Sequence, residues 1–385
     1  MSRKKILWLC SWYPNKLEPF NGDFVQRHAR AAALYNDIYV IHVAGYEGNK
    51  INETERSISS YPGLTEQLVL YKRSSSFLGR MRSHYRWLMI TRQEIRRYLA
   101  ENGKPDLVHV HIPIKAGIAG LWMKRKYNIP YVVTEHWGIY NEVEENNYSR
   151  KPETFKKYTR RVFEAAAKFI SVSRYLAEGV NRLVTKKESV VIQNVVDTSL
   201  FYYKDHEPGQ FRFIHVSNMV PLKNAAGILR AFKLYLQENN GSVLSMIGDP
   251  RSGLRDIAKE LAIPPANLIF RGEIPYAEVA KEMQGSDCLI LFSNIENSPC
   301  VIGEALCCGL PVIATNVGGI PELLDSYNSL LVEARDENGL ATAMKKMMED
   351  HQEYNRKQIA ENATRKFSYQ VIGKKLDEVY NAVVV

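Results

Sequence analysis

Cys288-Leu289-Ile290-Leu291-Phe292 leads into Ser293-Asn294-Ile295-Glu296-Asn297-Ser298-Pro299, and that loop opens into Cys300-Val301-Ile302-Gly303-Glu304-Ala305. An apolar strand that passes through a short loop into a helix is the repeating unit of a parallel sheet covered on both faces. The same unit recurs outward in both directions. In the second half, strand candidates are Phe213–Val216, Ser242–Ile247, Leu268–Phe270, Cys288–Phe292, Val312–Thr315 and Ser329–Val332. In the first half they are Ile6–Cys10, Ile38–Val43, Leu107–Ile112, Tyr131–Thr134, Phe169–Val172 and Val190–Ile192. Helical patterns such as Ala225–Gln237, Pro275–Met283 and Glu337–Asp350 fill the gaps.

About six strands in each half predict two doubly wound α/β domains in tandem. The joint is expected at Asp197–Gly209, with domains at 1–203 and 204–369 and a last helix, 370–385, packing back on the first. Such domains gather ligands at the carboxyl ends of their strands, here in a cleft between two facing domains. Neither half carries a Gly-x-Gly-x-x-Gly turn after its first strand. Gly248-Asp249-Pro250-Arg251-Ser252-Gly253 follows a strand but has the wrong spacing. Nicotinamide and flavin chemistry is therefore disfavoured.

Length agrees with this division, since 385 residues exceed one ordinary core. The charge is uneven. Residues 1–200 hold 32 Lys and Arg against 19 Asp and Glu, and residues 201–385 hold 19 against 23. A basic first half fits an anionic membrane, nucleic acid or a phosphorylated substrate. Five cysteines without a Cys-x-x-Cys pair indicate neither a disulfide framework nor a zinc site, so a reducing, cytoplasmic setting is expected. The apolar start, Ile6 to Cys10, is too short for a secretory signal, and no 18-residue apolar segment spans a bilayer.

Seven residues separate Glu296 from Glu304. Unpaired amides at a helix start favour an anion such as a diphosphate, and a carboxylate further along accepts two hydrogen bonds from a ribose diol. The plain alternative is a loop charge and a solvated helix charge.

This segment resembles the retaining glycosyltransferases of family 4, which have the GT-B fold of two Rossmann-like domains. Cys308-Gly309-Leu310-Pro311-Val312-Ile313-Ala314-Thr315 and Gly318-Gly319-Ile320-Pro321-Glu322 are similar to the family's continuation. By this resemblance Glu296 contacts the donor sugar and Glu304 the ribose, while Asn297, Ser298, Pro299, Cys300 and Val301 present amides to the phosphates. Val191–Asp197 resembles the inter-domain segment, with Gln193 and Val195 where the family has Pro and Gly. Phe213–Phe232 resembles the start of the second domain and places Lys223 as the phosphate-binding lysine. Asn218 stands where the family usually has arginine. Asparagine is neutral, so the site leans harder on Lys223 and helix amides, borrows a cation such as Arg251, or is weakened.

In the first half, Gly22 of Asn21-Gly22-Asp23-Phe24-Val25 matches a glycine loop beside the diphosphate, with a plain turn as the alternative. His136, in Thr134-Glu135-His136-Trp137, matches the histidine that contacts the sugar. His111, at the end of Val108-His109-Val110-His111-Ile112, is placed on the acceptor side. Ser171-Val172-Ser173 has a structural role. The expected catalytic set is Glu296, His136 and Lys223.

No Asp-x-Asp occurs, so no metal or cofactor is expected, and departing charge falls to Lys223 and oriented amides. The expected donor is a UDP- or GDP-sugar. The expected acceptor is a glycan or lipid-linked molecule in polysaccharide or envelope glycan synthesis. Residues 72–97 read as a basic amphipathic helix, with Arg80, Arg82 and Arg86 on its charged side, and 150–161 as a second basic cluster. Together they predict docking on the inner membrane face, the alternative being a core-facing stripe with a solvated back. No nucleic-acid module is present. The competing readings are a nucleotide-sugar epimerase, which needs no acceptor, and a non-catalytic glycan or nucleotide-sugar binding protein.

Overall fold

The computed structural model describes residues 3–47, 51, 53–73, 77–141, 143–205, 209–239, 241–249, 251 and 253–384, with backbone alone at 77–81. The chain forms two compact units, Met1–Val195 together with Tyr369–Val385, and Val196–Ser368.

The first unit contains β1 (Lys5–Cys10), α1 (Asp23–Ala32), β2 (Asp37–Tyr46), β3 (Thr54–Tyr61), β4 (Leu64–Lys72) and α2 (Phe77–Asn102). It continues with β5 (Leu107–His111), α3 (Pro113–Tyr127), β6 (Tyr131–Glu135), α4 (Glu153–Ala165), β7 (Lys168–Ser171), α5 (Arg174–Leu183) and β8 (Ser189–Val191). The sheet order is β3-β4-β2-β1-β5-β6-β7-β8. Every pair in it is parallel except β3–β4.

Alternation along β1 explains the two-sided burial. Leu7 and Leu9 enter one apolar cluster with Val108, Val110 and Val133. Ile6, Trp8 and Cys10 enter another, on the opposite face, with Val132 and Ile170. Each fully buried Leu or Ile contributes about 1.5–3 kcal/mol.

The hairpin β3–β4 is not among the strand candidates. β3 is an edge strand, Thr-Glu-Arg-Ser-Ile-Ser-Ser-Tyr, exposed along nearly its whole length. Without an apolar run it gives no strand signal, and it protects the sheet edge as polar edge strands do.

The basic helix expected over 72–97 is α2, but its apolar stripe is spent on the core. Trp87, Ile95 and Tyr98 are buried in the first cluster. The Trp87 indole N–H donates to the Val43 carbonyl at 3.1 Å. The apolar stripe thus covers the sheet, as in the alternative of a core-facing stripe with a solvated basic back. Arg82, Arg86 and Arg96 remain exposed, and the side chains of Phe77, Leu78, Arg80 and Met81 lie outside the described residues.

The second unit contains β9 (Arg212–Val216), α6 (Ala225–Leu236), β10 (Val243–Ile247), α7 (Leu254–Glu260), β11 (Leu268–Gly272) and α8 (Tyr276–Gln284). It continues with β12 (Cys288–Leu291), α9 (Cys300–Cys307), β13 (Val312–Thr315), β14 (Ser329–Val332), α10 (Glu337–Glu349) and α11 (Arg356–Phe367). Its sheet order is β11-β10-β9-β12-β13-β14, all parallel. This is the 3-2-1-4-5-6 order of a doubly wound domain.

The units part eight residues before the expected 203/204. The Val196 N–H donates to the Phe367 carbonyl at 2.9 Å, and Val196 and Phe201 are buried in the second unit's core. His206, Glu207 and Pro208 of the expected joint lie outside the described residues. The last helix, α12 (Tyr369–Asn381), belongs to the first unit, where Lys4 and Asn36 bind Asp377 at 3.2 and 3.0 Å.

Candidate functional site

In a doubly wound sheet the strand order reverses at one place, and loops leaving the carboxyl ends there diverge to leave a crevice. In the second unit that place lies between β9 and β12. The loop after β9 carries Asn218 and Lys223, and the loop after β12 carries Glu296. The Asn294 N–H donates to the Leu222 carbonyl at 2.8 Å, which ties the two loops together. Across this tie the Lys223 ammonium donates to Glu296 Oε1 at 2.5 Å, and Ser293 Oγ donates to the same oxygen at 2.8 Å. Both charged side chains are largely covered, at 24% and 10% exposure.

The Glu296 loop is held from behind by the turn after β13. The Gly319 N–H donates to the Glu296 carbonyl at 2.9 Å. Gly318 has φ +57°, and a Cβ there would meet that carbonyl oxygen at 2.0 Å, so only glycine fits. Thr315 Oγ1 anchors the strand end by donating to the Ser293 carbonyl at 2.7 Å.

α9 then begins at Cys300 without a side-chain cap. Asn297, Cys300 and Val301 are half-buried at this helix start, and Ser298 and Pro299 are buried. Glu304 lies in the second turn, 5% exposed, and Tyr276 on α8 donates its hydroxyl to Glu304 Oε1 at 2.6 Å. The unit thus gathers a lysine, a helix start and two carboxylates on its carboxyl edge.

The first unit builds a cluster of imidazoles at the same edge of its own sheet. His109 and His111, two apart on β5, point to one face with ring centroids 4.0 Å apart. His109 lies between the Tyr380 hydroxyl at 2.7 Å and Thr134 Oγ1 at 2.6 Å. His111 stacks on Trp8 at 4.1 Å, and its Nδ1 approaches His136 Nε2 at 3.4 Å. His28 of α1 closes the group, 5.4 Å from the His136 ring. Burial, then the neighbouring rings, hold His111 and His136 well below the usual imidazole range. Among the described residues, no three His, Cys, Asp or Glu side chains are grouped so as to hold a metal ion.

The family model described as Glycosyl transferases group 1 matches residues 203–366, and that described as Glycosyltransferase Family 4 matches residues 30–200. The chain belongs to glycosyltransferase family 4. The provisionally named teichuronic acid biosynthesis glycosyltransferase TuaC of Bacillus subtilis is 24% identical over 98% of this chain and 96% of its own. Among solved structures, sucrose-phosphate synthase of Thermosynechococcus elongatus superposes with a TM-score of 0.76 at 17% identity, covering 99% of each chain. HepE of Anabaena, solved with UDP, superposes at 0.71 and 18% identity over 98% of this chain and 100% of its own. These likenesses carry the GT-B fold.

Within this glycosyltransferase the expected site residues separate into those gathered and those set apart. Lys223, Glu296 and the 297–301 helix start form one constellation, with Glu304 in the second turn of α9. Asn218 is exposed on the same loop as Lys223. Arg251 is engaged by Asp249, with Nε to Oδ1 and Nη2 to Oδ2 both at 2.8 Å, in an exposed pair. Gly22, at φ +77°, has no room for a Cβ because the Trp12 carbonyl carbon and the Tyr13 nitrogen lie 2.6 Å from it. The protein's own turn therefore demands this glycine.

His111, expected on the acceptor side, is 0% exposed, its ring packed between Trp8 and His136. Ser173 has the structural role expected of its segment, since its Oγ caps α5 at the Leu176 N–H.

Three participants were not among the expected residues. His215 on β9 is buried neutral, pushed down to about 4 by burial. Its Nδ1 meets the Ile290 carbonyl at 2.9 Å and its Nε2 the Ser217 hydroxyl at 2.8 Å, which braces the loop carrying Asn218 and Lys223. Tyr276 supports Glu304 from a helix far away in sequence. Glu135, beside His136, is fully buried.

Proposed function

We propose that this enzyme is a retaining, metal-independent transferase that moves a hexose-type sugar from a UDP- or GDP-sugar to a glycan or lipid-linked acceptor. The observation that carries this reading is the joining of the Lys223 and Glu296 loops at the switch point of the second unit, beside the uncapped start of α9. A nucleoside diphosphate there meets a cation and a helix N-terminus, which together take up the negative charge that grows as the sugar leaves. Lys223 is held by Glu296, so an arriving diphosphate competes for the ammonium and releases the Glu296 carboxylate toward the sugar. Glu304 accepts from the ribose hydroxyls. Glu296 stabilises the positive sugar, and the diphosphate itself assists removal of the acceptor proton.

The HepE structures with UDP and with UDP-glucose, and the assignment of TuaC to teichuronic acid biosynthesis, support a nucleotide donor and a cell-envelope glycan product. The proposed place of work is the cytoplasmic face of a membrane. The outward-facing Arg82, Arg86, Arg96, Lys157, Arg160 and Arg161 meet anionic headgroups there at about 1 kcal/mol per charge.

The test is a panel of UDP- and GDP-sugars with and without glycan acceptors, read by mass spectrometry and by the anomeric configuration of the product. Transfer with retention is expected. Interconversion of the donor without acceptor marks an epimerase, and binding without turnover marks a non-catalytic protein. Either result overturns the reading.

A further inference from the structure

The carboxylate of Glu135 is 0% exposed at the end of β6. It bends over the turn that follows. Its Oε1 accepts the N–H of His136 at 2.9 Å and of Trp137 at 3.0 Å, and its Oε2 accepts the Tyr140 hydroxyl at 2.7 Å. Both amides after the strand and the 3-10 turn Gly138–Tyr140 therefore end on one side chain. Tyr140 is itself fixed, its ring tilted against that of Tyr148 at 5.5 Å and packed where a Cβ on Gly179 would be 3.2 Å from its own.

A buried carboxylate is a costly way to hold a turn. The neighbouring strand end, after β7, uses hydroxyls, Ser171 Oγ donating to the Ser173 carbonyl at 2.8 Å and Ser173 Oγ accepting from the Leu176 N–H at 3.2 Å. Packing alone does not call for an acid here. What distinguishes the β6 turn is its cargo, His136, whose ring is braced on its other side by His111 and His28.

We propose that Glu135 is a positioning residue for the transfer reaction, its carboxylate clamping the 136–140 turn so that the His136 imidazole is held in one orientation. This rests on the reading of His136 as a donor-site residue. Burial pushes Glu135 up to about 7, offset by the Trp137, Tyr140 and His136 hydrogen bonds. Above that pH the ionised group accepts all three hydrogen bonds. Below it the added proton must be donated, and the Tyr140 hydroxyl has to turn round to accept it. The titratable groups facing Glu135 are the Tyr140 hydroxyl, raised well above its usual value, and His136, with His111 and His28 behind it. Each of these titrates far from neutrality, which leaves Glu135 as the group of this cluster that changes charge near pH 7.

The experiment compares Glu135→Gln, Glu135→Ala, His136→Ala and the double variant Glu135→Ala/His136→Ala in the full-length enzyme. The readouts are kcat and KM from pH 6 to 9 at saturating donor, together with nucleotide affinity and melting temperature. Glu135→Ala should lower kcat ~10- to 100-fold, the scale of a misplaced group, with nucleotide affinity unchanged. The double variant should be no slower than His136→Ala. Glu135→Gln, which keeps an oxygen for the two amides, should retain most of kcat and lose the rise in rate through pH 7. Should Glu135→Ala not fold, the pH profile of Glu135→Gln decides alone. Additive losses in the double variant, or an unchanged pH profile in Glu135→Gln, overturn the proposal. Full activity in His136→Ala refutes the reading beneath it, whereas an impaired His136→Ala beside a normal Glu135→Ala refutes the clamp alone.

Discussion

Replacing Lys223 with methionine separates a binding role from a structural one. The ammonium is 2.5 Å from Glu296 Oε1, and the carboxylate is 10% exposed with Ser293 Oγ as a further donor at 2.8 Å. Removing the cation leaves a largely covered charge with one neutral hydrogen bond. Because Lys223 itself is 24% exposed, solvent screens part of the loss, which is about 1–2 kcal/mol. For a unit of this size that lowers the melting temperature by roughly 2–8 °C. The loss of a charge-assisted contact to a diphosphate is ~1.5–3 kcal/mol, or about 10- to 150-fold in dissociation constant. The two effects part company in a double variant. Lys223→Met/Glu296→Gln removes the stranded charge and keeps the Ser293 contact, so the melting temperature should recover while nucleotide affinity stays low. Calorimetric titration with UDP and GDP, beside differential scanning calorimetry, measures both. If Lys223→Met lowers stability but leaves nucleotide affinity at the wild-type value, the lysine is only a partner for Glu296 and the site reasoning fails.

Three further outcomes follow from the same structure. Gly318→Ala puts a methyl against the Glu296 carbonyl at a φ of +57° and should cost roughly 2–4 kcal/mol in a denaturant melt, with turnover falling further because the Glu296 loop moves. On acidification the first unit should unfold before the second. Burial lowers His28 and His42 to about 4, so at these rings the unfolded chain binds more protons; the contribution of each is full above about pH 6.5 and falls toward pH 4, by up to about 3 kcal/mol, partly offset by Glu135, whose raised value acts in the opposite sense. His109, His111 and His136 are also lowered in that unit, against His215 in the second. All five tryptophans lie in the first unit, so their fluorescence should change at a higher pH than far-ultraviolet dichroism as a whole, and coincident transitions would contradict the ordering. Asn218→Arg should leave nucleotide affinity equal or raise it by up to about tenfold, through a new charge-assisted contact; weaker binding with an intact melt would show that the position does not face phosphate.

Much of the architecture can be read from residues alone because buried parallel strands are written as unbroken apolar runs. All six candidates in the second half are strands, and the loop from Ser293 to Pro299 leads into a helix as its composition indicates. Strand β3 escapes detection because an exposed edge strand carries no apolar period, whereas β4 holds the largely buried run Leu68–Tyr71, which is not among the candidates. The stripe on α2 shows the limit of amphipathic pattern, since Trp87, Ile95 and Tyr98 would read identically whether they faced a bilayer or a sheet. The candidate site is legible where its parts are close in sequence, as with Glu296 and Glu304. It is illegible where support comes from afar. Nothing local to Tyr276 announces that its hydroxyl meets Glu304, and nothing local to His215 announces that it props up the lysine loop. The burial of His111 depends on Trp8, a residue on another strand. Glu135 stands in plain view beside His136, but only its complete burial and its three donors set it apart from an ordinary strand-end acid.

The most direct test is a crystal structure of the chain with whichever of UDP and GDP binds it. The diphosphate should lie at the start of α9, about 3 Å from Lys223 Nζ, with the ribose hydroxyls on the Glu304 carboxylate. A nucleotide seated elsewhere, with Lys223 still closed on Glu296 and Glu304 making no contact to sugar, would contradict the account.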